Sequence, residues 1–410
     1  MTTEELHCNY DLSKIFNSSN LVEVEENNKI NSLNLIEKKW YYKSELFNII
    51  KYDKTKFNSD AGLFRSVICK NDKIVCYAPP KSLPIEEFLE NTEKESVFIE
   101  EFIEGTMINI FWNNTEWEIA TKSSIGGNVS FYIEEEDKER TFRWMFLDAL
   151  VYYEENHNEE SNFFTCLDSL PKNYSLSFVL QHPKNRIVIP FGEPSVYLVK
   201  CYEILDNKIK EIELSTISSI LPSWVKYPNK INSTVEDILK SNNLDDYKSM
   251  GYVFNGVDSK SKTHVRSKIR NPSYEMVKRL RGNQPKLQYR YLMLRGEKNV
   301  NKYLSYYPEH KDNFITYRNL VHLFTDTLHK LYISCFIKKE KKLNDYPYEY
   351  KTHLFKLHEH YINDLVINSK VVTKGVVINY VNKLHPTLLM HSINYRFKKL
   401  INDTNMEIAI

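Results

Sequence analysis

The sequence lacks any run of about 18–20 uninterrupted apolar residues, so no segment has the make-up of a membrane-crossing helix. It lacks paired cysteines: Cys8, Cys69, Cys76, Cys166, Cys201 and Cys335 stand singly, with no CxxC among them. That scatter argues for reduced, mostly buried thiols and against a zinc site or a disulfide framework. It also lacks a basic-then-apolar leader, because Met1 to Ile30 is acidic and polar. These absences lead to the expectation of a cytoplasmic, unanchored protein. No internal repeat and no low-complexity linker interrupts the chain.

The composition fits a soluble globular protein. The chain has 410 residues, 42% hydrophobic and 27% charged. At ~100–200 residues per domain that length allows two or three domains. The net charge of +1 hides a split. From Lys260 onward 28 Lys and Arg face 12 Asp and Glu, a net of +16. Positions 1–259 hold 27 basic against 42 acidic residues, a net of −15. Such a split points to an anionic partner for the basic part, nucleic acid among the candidates, or to attraction between the two parts.

The patterning predicts an α+β body and an all-helical tail. Lys38–Lys43 and Leu46–Tyr52 read as a first strand or helix. Ser66–Lys70 and Lys73–Tyr77 flank Asn71-Asp72, as in a hairpin. Short β-branched and aromatic runs predict strands at Val97–Ile103, Met107–Trp112, Trp117–Thr121, Leu176–Leu180, Ile187–Ile189 and Val196–Glu203. Two more follow at Gly251–Asn255 and His264–Ile269. Helical spacing predicts helices over Thr141–Tyr153 and Thr234–Ser241. In the tail it predicts them over Tyr274–Arg281, Leu287–Arg295, Phe314–Lys338, Lys351–Ile367 and Lys374–Leu384. The expected division is an N-terminal segment 1–60 belonging to the body, a domain over 61–280, and a helical domain over 281–410.

Five segments, in order, carry a resemblance. Phe64–Ser82 contains an Arg and later lysines in a hairpin, and Glu101–Ile108 (EFIEGTMI) leads into Trp117–Gly127 (WEIATKSSIGG). Leu176–Pro190 (LSFVLQHPKNRIVIP), Met250–Phe254 (MGYVF) and Lys268–Tyr274 (KIRNPSY) follow. Together they resemble the phage-type branch of the ATP-dependent RNA ligases, which are covalent nucleotidyltransferases. More narrowly, they resemble a degenerate ligase-like group of large DNA viruses. The resemblance implies a nucleotidyltransferase body with ATP-grasp-like antiparallel sheets. It also implies a lysine nucleophile that attacks the α-phosphate of ATP, carboxylates that hold a divalent metal, and closing lysines that offset phosphate charge.

The chemistry-bearing positions depart from that pattern. The family writes its attachment motif Lys-x-Asp-Gly; here Gly105 sets the register, Glu104 stands at the Asp position, and Phe102 occupies the nucleophile position. The two glutamate positions hold Val179 and Met250. A phenyl ring cannot attack phosphorus, and apolar side chains cannot hold a metal. No lysine lies between Lys94 and Lys122, so sliding the register does not restore the nucleophile. Positive charge survives at Arg65, Lys122, Lys268 and Arg270, with Ser66 in place of the expected glycine. Nucleotide or phosphate contact is thus expected at Arg65, Glu104, Gly105, Lys122, Lys268 and Arg270, with no catalytic residue and no metal. Beyond them, eleven basic residues fall between Lys260 and Arg295, interleaved with Tyr274, Tyr289 and Tyr291. Arg266, Lys278, Arg279, Arg281, Lys286 and Arg290 are the expected RNA contacts, where cations give phosphate affinity and rings can stack on unpaired bases.

Three readings remain open at this point. The leading one is a catalytically inactive RNA-ligase-like protein that binds RNA, or an RNA 5′ end, or scaffolds a nucleic-acid complex. The second is an active ligase using ATP and Mg²⁺ with Lys122 or Lys94 as a displaced nucleophile. The third is a structural component of a virus particle. The tail histidines His353, His358 and His360 read as core or surface residues, since no HExxH and no cysteine partner accompanies them.

Overall fold

The computed structural model describes residues 10–13, 29–30, 33–55, 60–131, 140–157, 162–240 and 246–395. Most of the acidic N-terminal segment, with Cys8, lies outside the described residues, as do Ser241 and positions 396–410. In chain order the strands are β1 (Tyr10–Asp11), β2 (Lys29–Ile30), β3 (Leu35–Tyr42), β4 (Glu45–Tyr52), β5 (Val67–Lys70), β6 (Lys73–Tyr77), β7 (Phe98–Glu101), β8 (Thr106–Trp112), β9 (Trp117–Thr121), β10 (Ser124–Ile125), β11 (Tyr174–Gln181), β12 (Ser195–Leu205), β13 (Lys208–Ile212), β14 (Gly251–Val257) and β15 (His264–Arg270). The chain divides into two compact units, Met1–Arg279 and Leu280–Ile410. The first is a mixed unit built on antiparallel sheets, and the second is helical.

The central layer is a seven-stranded sheet of order β1-β13-β12-β11-β8-β9-β10. Its strands alternate with period two, and both faces are buried. Ile108 and Ile110 of β8, with Leu176, Phe178 and Leu180 of β11, meet Met145, Phe146, Ala149 and Leu150 of the helix Phe142–His157. On the opposite face Phe111 of β8 and Ala120 of β9 meet Phe47, Ile49 and Ile68 of a five-stranded sheet, order β2-β3-β4-β5-β6. Each fully buried Phe or Ile contributes about 1.5–3 kcal/mol, so these two clusters fix the register of β8 from both sides. The β5–β6 turn is the expected hairpin: Asn71 (φ 49°) and Asp72 (φ 61°) take the left-handed conformation a two-residue turn demands.

A separate three-stranded sheet, β15-β14-β7, is covered by the helix Ile85–Asn91, whose Phe88 contacts Ile99, Phe254 and Ile238. The segment Phe102–Gly105 carries the chain from β7 in this sheet to β8 in the central one. Within the body one open expectation is resolved and one is corrected. Lys38–Lys43 and Leu46–Tyr52, ambiguous by sequence, pair as strands β3 and β4. Ile187–Ile189, expected as a strand, is a bend that pairs with no other strand; its backbone amides cap the Glu104 carboxylate instead. In the helical unit the expected helices form at Leu287–Gly296, Lys311–Tyr332, Tyr348–His360 and Lys374–Lys383. The two longest continue as single π-helical segments, Ile333–Ile337 and Tyr361–Leu365.

Candidate phosphate-binding site

The segment between β7 and β8 is built for close approach. Phe102 N–H donates to the Gly251 carbonyl at 2.9 Å, fastening its start beside β14. Gly105 sits at φ 154°, and a Cβ there would stand 2.4 Å from the Leu180 oxygen and 2.7 Å from Val179 Cγ1. Only glycine fits that crossing. Glu104 is 1% exposed. Its Oε1 accepts from the amides of Val188 (3.0 Å) and Ile189 (3.2 Å), its Oε2 accepts from Ile189 at 3.2 Å, and the Tyr274 hydroxyl donates to it as well. Burial raises the Glu104 carboxyl above the usual carboxylate range even though these donors pull the other way. The apolar run 187–189 is a bend because its amides are spent on this carboxylate rather than on a neighbouring strand.

The phenyl ring of Phe102 lies beneath two cations. Lys268 Nζ stands 5.5 Å from the ring centroid and Arg270 Cζ 6.0 Å. In the β14–β15 register Lys268 opposes Val253 and Arg270 opposes Gly251, so the two cations share one face with Arg266 at the other end. Arg266 is tied inward, its Nη2 donating to the Pro80 carbonyl at 2.6 Å and its Nε to the same oxygen at 3.1 Å. Arg270 Nη1 meets Glu275 Oε1 at 2.7 Å. Among the described residues Lys268 has neither kind of partner. Its ammonium is pulled down to about 8, by the surrounding protein first and then by Arg266, Arg270, Arg65 and Lys278. The side chain is exposed by area, so solvent softens the burial part of that shift and the neighbouring cations are the firmer cause.

A second cationic group converges from the central and five-stranded sheets. Lys122 is the first turn residue past β9, which spans Trp117–Thr121 as expected. Ser66, in place of the expected glycine, holds that turn by donating from Oγ to the Lys122 carbonyl at 3.1 Å. Lys122 Nζ lies 4.9 Å over the Tyr52 ring, and Lys81 Nζ is 5.7 Å from the same centroid. Burial, then Arg65, Lys54 and Lys51, bring the Lys122 ammonium down to about 8. Arg65 is itself lowered to about 10, by burial and then Arg266. Arg65 therefore acts on both Lys122 and Lys268 and links the two groups into one field. Tyr52, Lys51, Lys54 and Lys81 were not singled out from the sequence. The Lys-Tyr-Asp-Lys run at positions 51–54 was the available signal, but without the sheet nothing set it beside Lys122.

Val179 is buried in β11, beside Gly105, and Met250 immediately precedes Gly251, so the departures from the ligase pattern gather round the Phe102–Gly105 segment. Lys94 does not. It is exposed in the short turn Lys94–Ser96, where Ser96 Oγ accepts from the Val257 amide at 2.8 Å, at the other end of β14 from Gly251.

The basic stretch after β15 is only partly outward. Arg290 is 6% exposed, and its Nε donates to the Leu280 carbonyl at 2.9 Å. Arg281 is buried too, with Cζ 5.8 Å over the Tyr307 ring. The reason is the breaker: Gly282 at φ 69° ends the helix Pro272–Arg281 and turns the chain back, so that Arg290 satisfies a last-turn carbonyl. Tyr291 and Tyr274, expected as stacking surfaces, are buried, and Tyr291 packs on Phe314 at 5.1 Å between centroids. Lys278 reaches Glu275 at 3.6 Å, while Arg279 and Lys286 are exposed. The tail histidines serve separate ends. His353 bonds the Tyr380 and Ser392 hydroxyls at 2.9 Å each, His358 stacks on Phe336, and His360 meets Asp364 at 2.8 Å.

No family model matches the chain. In sequence it is similar to the "Immediate-early protein ICP-46 homolog" of Invertebrate iridescent virus 6, 26% identical over 290 residues. That match covers 68% of this chain and 61% of the viral protein's length. Among solved structures it is similar to a putative ATP-dependent DNA ligase from Aquifex aeolicus, 14% identical over 80% of this chain and 77% of that one, with a TM-score of 0.34. An archaeal ATP-dependent RNA ligase is 11% identical over 63% and 62%, with a TM-score of 0.35. The Naegleria gruberi RNA ligase with PPi is 14% identical over 51% and 64%, with a TM-score of 0.31. Likeness at this level says nothing of activity, which the chain's own side chains decide.

Proposed function

We propose that the chain is a catalytically silent, ligase-like protein that holds a phosphorylated RNA end without transferring a nucleotide to itself. The observation that carries this reading is the Phe102 ring under Lys268 and Arg270: a cationic strand over a position that cannot act as a nucleophile. Val179 and Met250 support it by removing both carboxylates that the chemistry needs, and removing a buried charge also removes its desolvation cost. Arg65, Lys122 and Lys268 support the binding half, because among the described residues none of the three has a carboxylate partner. ATP and Mg²⁺ are not required by this reading.

A second reading has one observation in its favour. Lys122, lowered to about 8, is closer to a free amine at neutral pH than an ordinary lysine, as a displaced nucleophile would be. One assay separates the two. Incubation with α-labelled ATP and Mg²⁺ or Mn²⁺, followed by denaturing electrophoresis, is expected to leave the protein unlabelled, while a 5′-phosphorylated RNA binds in a salt-sensitive way. A labelled band lost on Lys122→Ala would replace the silent reading with the active one.

A further inference from the structure

The ligase chemistry uses a divalent metal held by carboxylates, and the side chains around Phe102 do not fit one. Val179 and Met250 offer no metal-binding oxygen. Glu104 has turned its carboxylate to the Val188 and Ile189 amides. The neighbouring acids are engaged as well. Glu101 Oε1 accepts from the Asn229 amide and side chain at 3.0 Å each, and Glu100 Oε2 accepts from Asn255 Nδ2 at 3.0 Å. Glu275 is shared between Arg270 and Lys278. Among the described residues no three His, Cys, Asp or Glu side chains gather as a metal site.

The groups that remain near Phe102 are cations. Arg65 is seated beside Lys122 by its neighbours, since the Phe64 carbonyl accepts from the Tyr52 amide at 2.7 Å and Ser66 Oγ donates to the Lys122 carbonyl at 3.1 Å, and its charge also acts on Lys268. Lys122 Nζ stands over the Tyr52 ring and Lys268 Nζ over the Phe102 ring. A polyphosphate needs several positive charges in series, and lysine and arginine side chains can supply them. A phosphate chain already chelated by Mg²⁺ carries less negative charge to these cations and finds no carboxylate to receive its metal.

We propose that this site takes a nucleotide polyphosphate chain in its metal-free form, with Arg65, Lys122 and Lys268 replacing the divalent ion, so that Mg²⁺ is dispensable and acts against binding. The inference rests on the phosphate-holding reading under "Proposed function". The polyphosphate has two possible sources, the 5′-triphosphate of an RNA and a free nucleoside triphosphate.

The test is equilibrium binding of the full chain to a short fluorescent RNA with a 5′-triphosphate, in EDTA and in millimolar Mg²⁺ at matched ionic strength. The same RNA with a 5′-hydroxyl is the control, and ATP and inorganic tripolyphosphate serve as competitors. The expected result is binding in EDTA that Mg²⁺ weakens, by up to about tenfold, and that exceeds binding of the 5′-hydroxyl form; binding that Mg²⁺ leaves unchanged or strengthens would overturn the inference. Displacement by ATP as effective as by the RNA itself would assign the free nucleotide as the source; displacement only by RNA would assign the 5′ end. Lys268→Ala and Lys122→Ala are each expected to weaken the triphosphate more than the 5′-hydroxyl RNA, with melting curves checking that they fold. Binding that appears only with Mg²⁺, or that ignores the 5′ phosphates, would overturn the inference and leave the silent reading intact. A covalent adenylate would instead overturn that reading itself.

Discussion

At the scale of single residues, the site depends on groups held in unusual states. Gly105 cannot accept a side chain, since its φ of 154° and the 2.4 Å approach to the Leu180 oxygen both oppose a Cβ. Gly105→Ala is expected to cost at least about 2 kcal/mol, read as a lower urea midpoint; an unshifted midpoint would contradict this packing. Lys122 and Lys268 give a pH prediction with a definite sign. Each titrates near 8 in the folded chain against 10.5 for an ordinary lysine. Around them stand Arg65, Lys54 and Lys51 on one side and Arg266, Arg270, Arg65 and Lys278 on the other. Anion affinity is therefore expected to hold up to about pH 7 and to fall between pH 7 and 9, earlier than for ordinary lysines. Between about pH 8 and 10.5 the unfolded chain keeps protons that the folded one has lost. These two groups then make stability rise with pH in that window, because losing the proton removes a part-buried charge and its repulsion from the neighbouring cations. Affinity titrations and denaturation at pH 7, 8 and 9 check both halves.

At the scale of elements, the helix–breaker–helix after β15 separates structural from binding roles. Arg290 caps the Leu280 carbonyl, and the turn at Gly282 makes that possible. Arg290→Ala is expected to destabilise the helical unit by about 1.5–3 kcal/mol, because a buried carbonyl loses a charged donor. RNA affinity should be unaffected under conditions where the variant is folded. The opposite result, a stable protein that binds RNA weakly, would mean that this guanidinium serves the ligand. The three-stranded sheet has its own anchor in Phe88, fully buried against Ile99 and Phe254. Phe88→Ala is expected to cost about 3–5 kcal/mol and to weaken phosphate binding indirectly, since β15 carries Lys268. Thermal melts with and without tripolyphosphate would show both effects.

At the scale of the whole molecule, the charge split matters less than which cations stay available to a ligand. The +16 over the last 151 positions suggested a broad basic face. Arg281 and Arg290 are buried, and Arg266 and Arg270 are bonded to other groups of the chain. With Arg65, Lys122 and Lys268 as the phosphate contacts, log affinity for single-stranded RNA should fall against log salt with a slope of about −2. Engagement of Lys278, Arg279 and Lys286 as well would steepen it to about −4. A slope near zero would remove nucleic acid from the list of partners. Among the described residues no helix is long and apolar enough to cross a membrane.

Local pattern determined a large part of this protein. Short β-branched and aromatic runs placed β8, β9 and β11 within two residues of where they lie, and Asn71-Asp72 marked its hairpin turn, because strand propensity and left-handed turns are written in neighbouring residues. The sequence also determined what is missing, since Phe102, Val179 and Met250 are legible in one dimension. Only the tertiary structure decided which charges meet. Lys51 and Tyr52 come to Lys122 through packing of the five-stranded sheet on the central one, with Lys81 over the same Tyr52 ring, and Ile187–Ile189 became a bend because a buried carboxylate 84 positions earlier claims its amides. Arg290 turned inward for a similar reason: its periodicity fits an exposed basic helix equally well, and what settles it is the carbonyl waiting across the Gly282 turn.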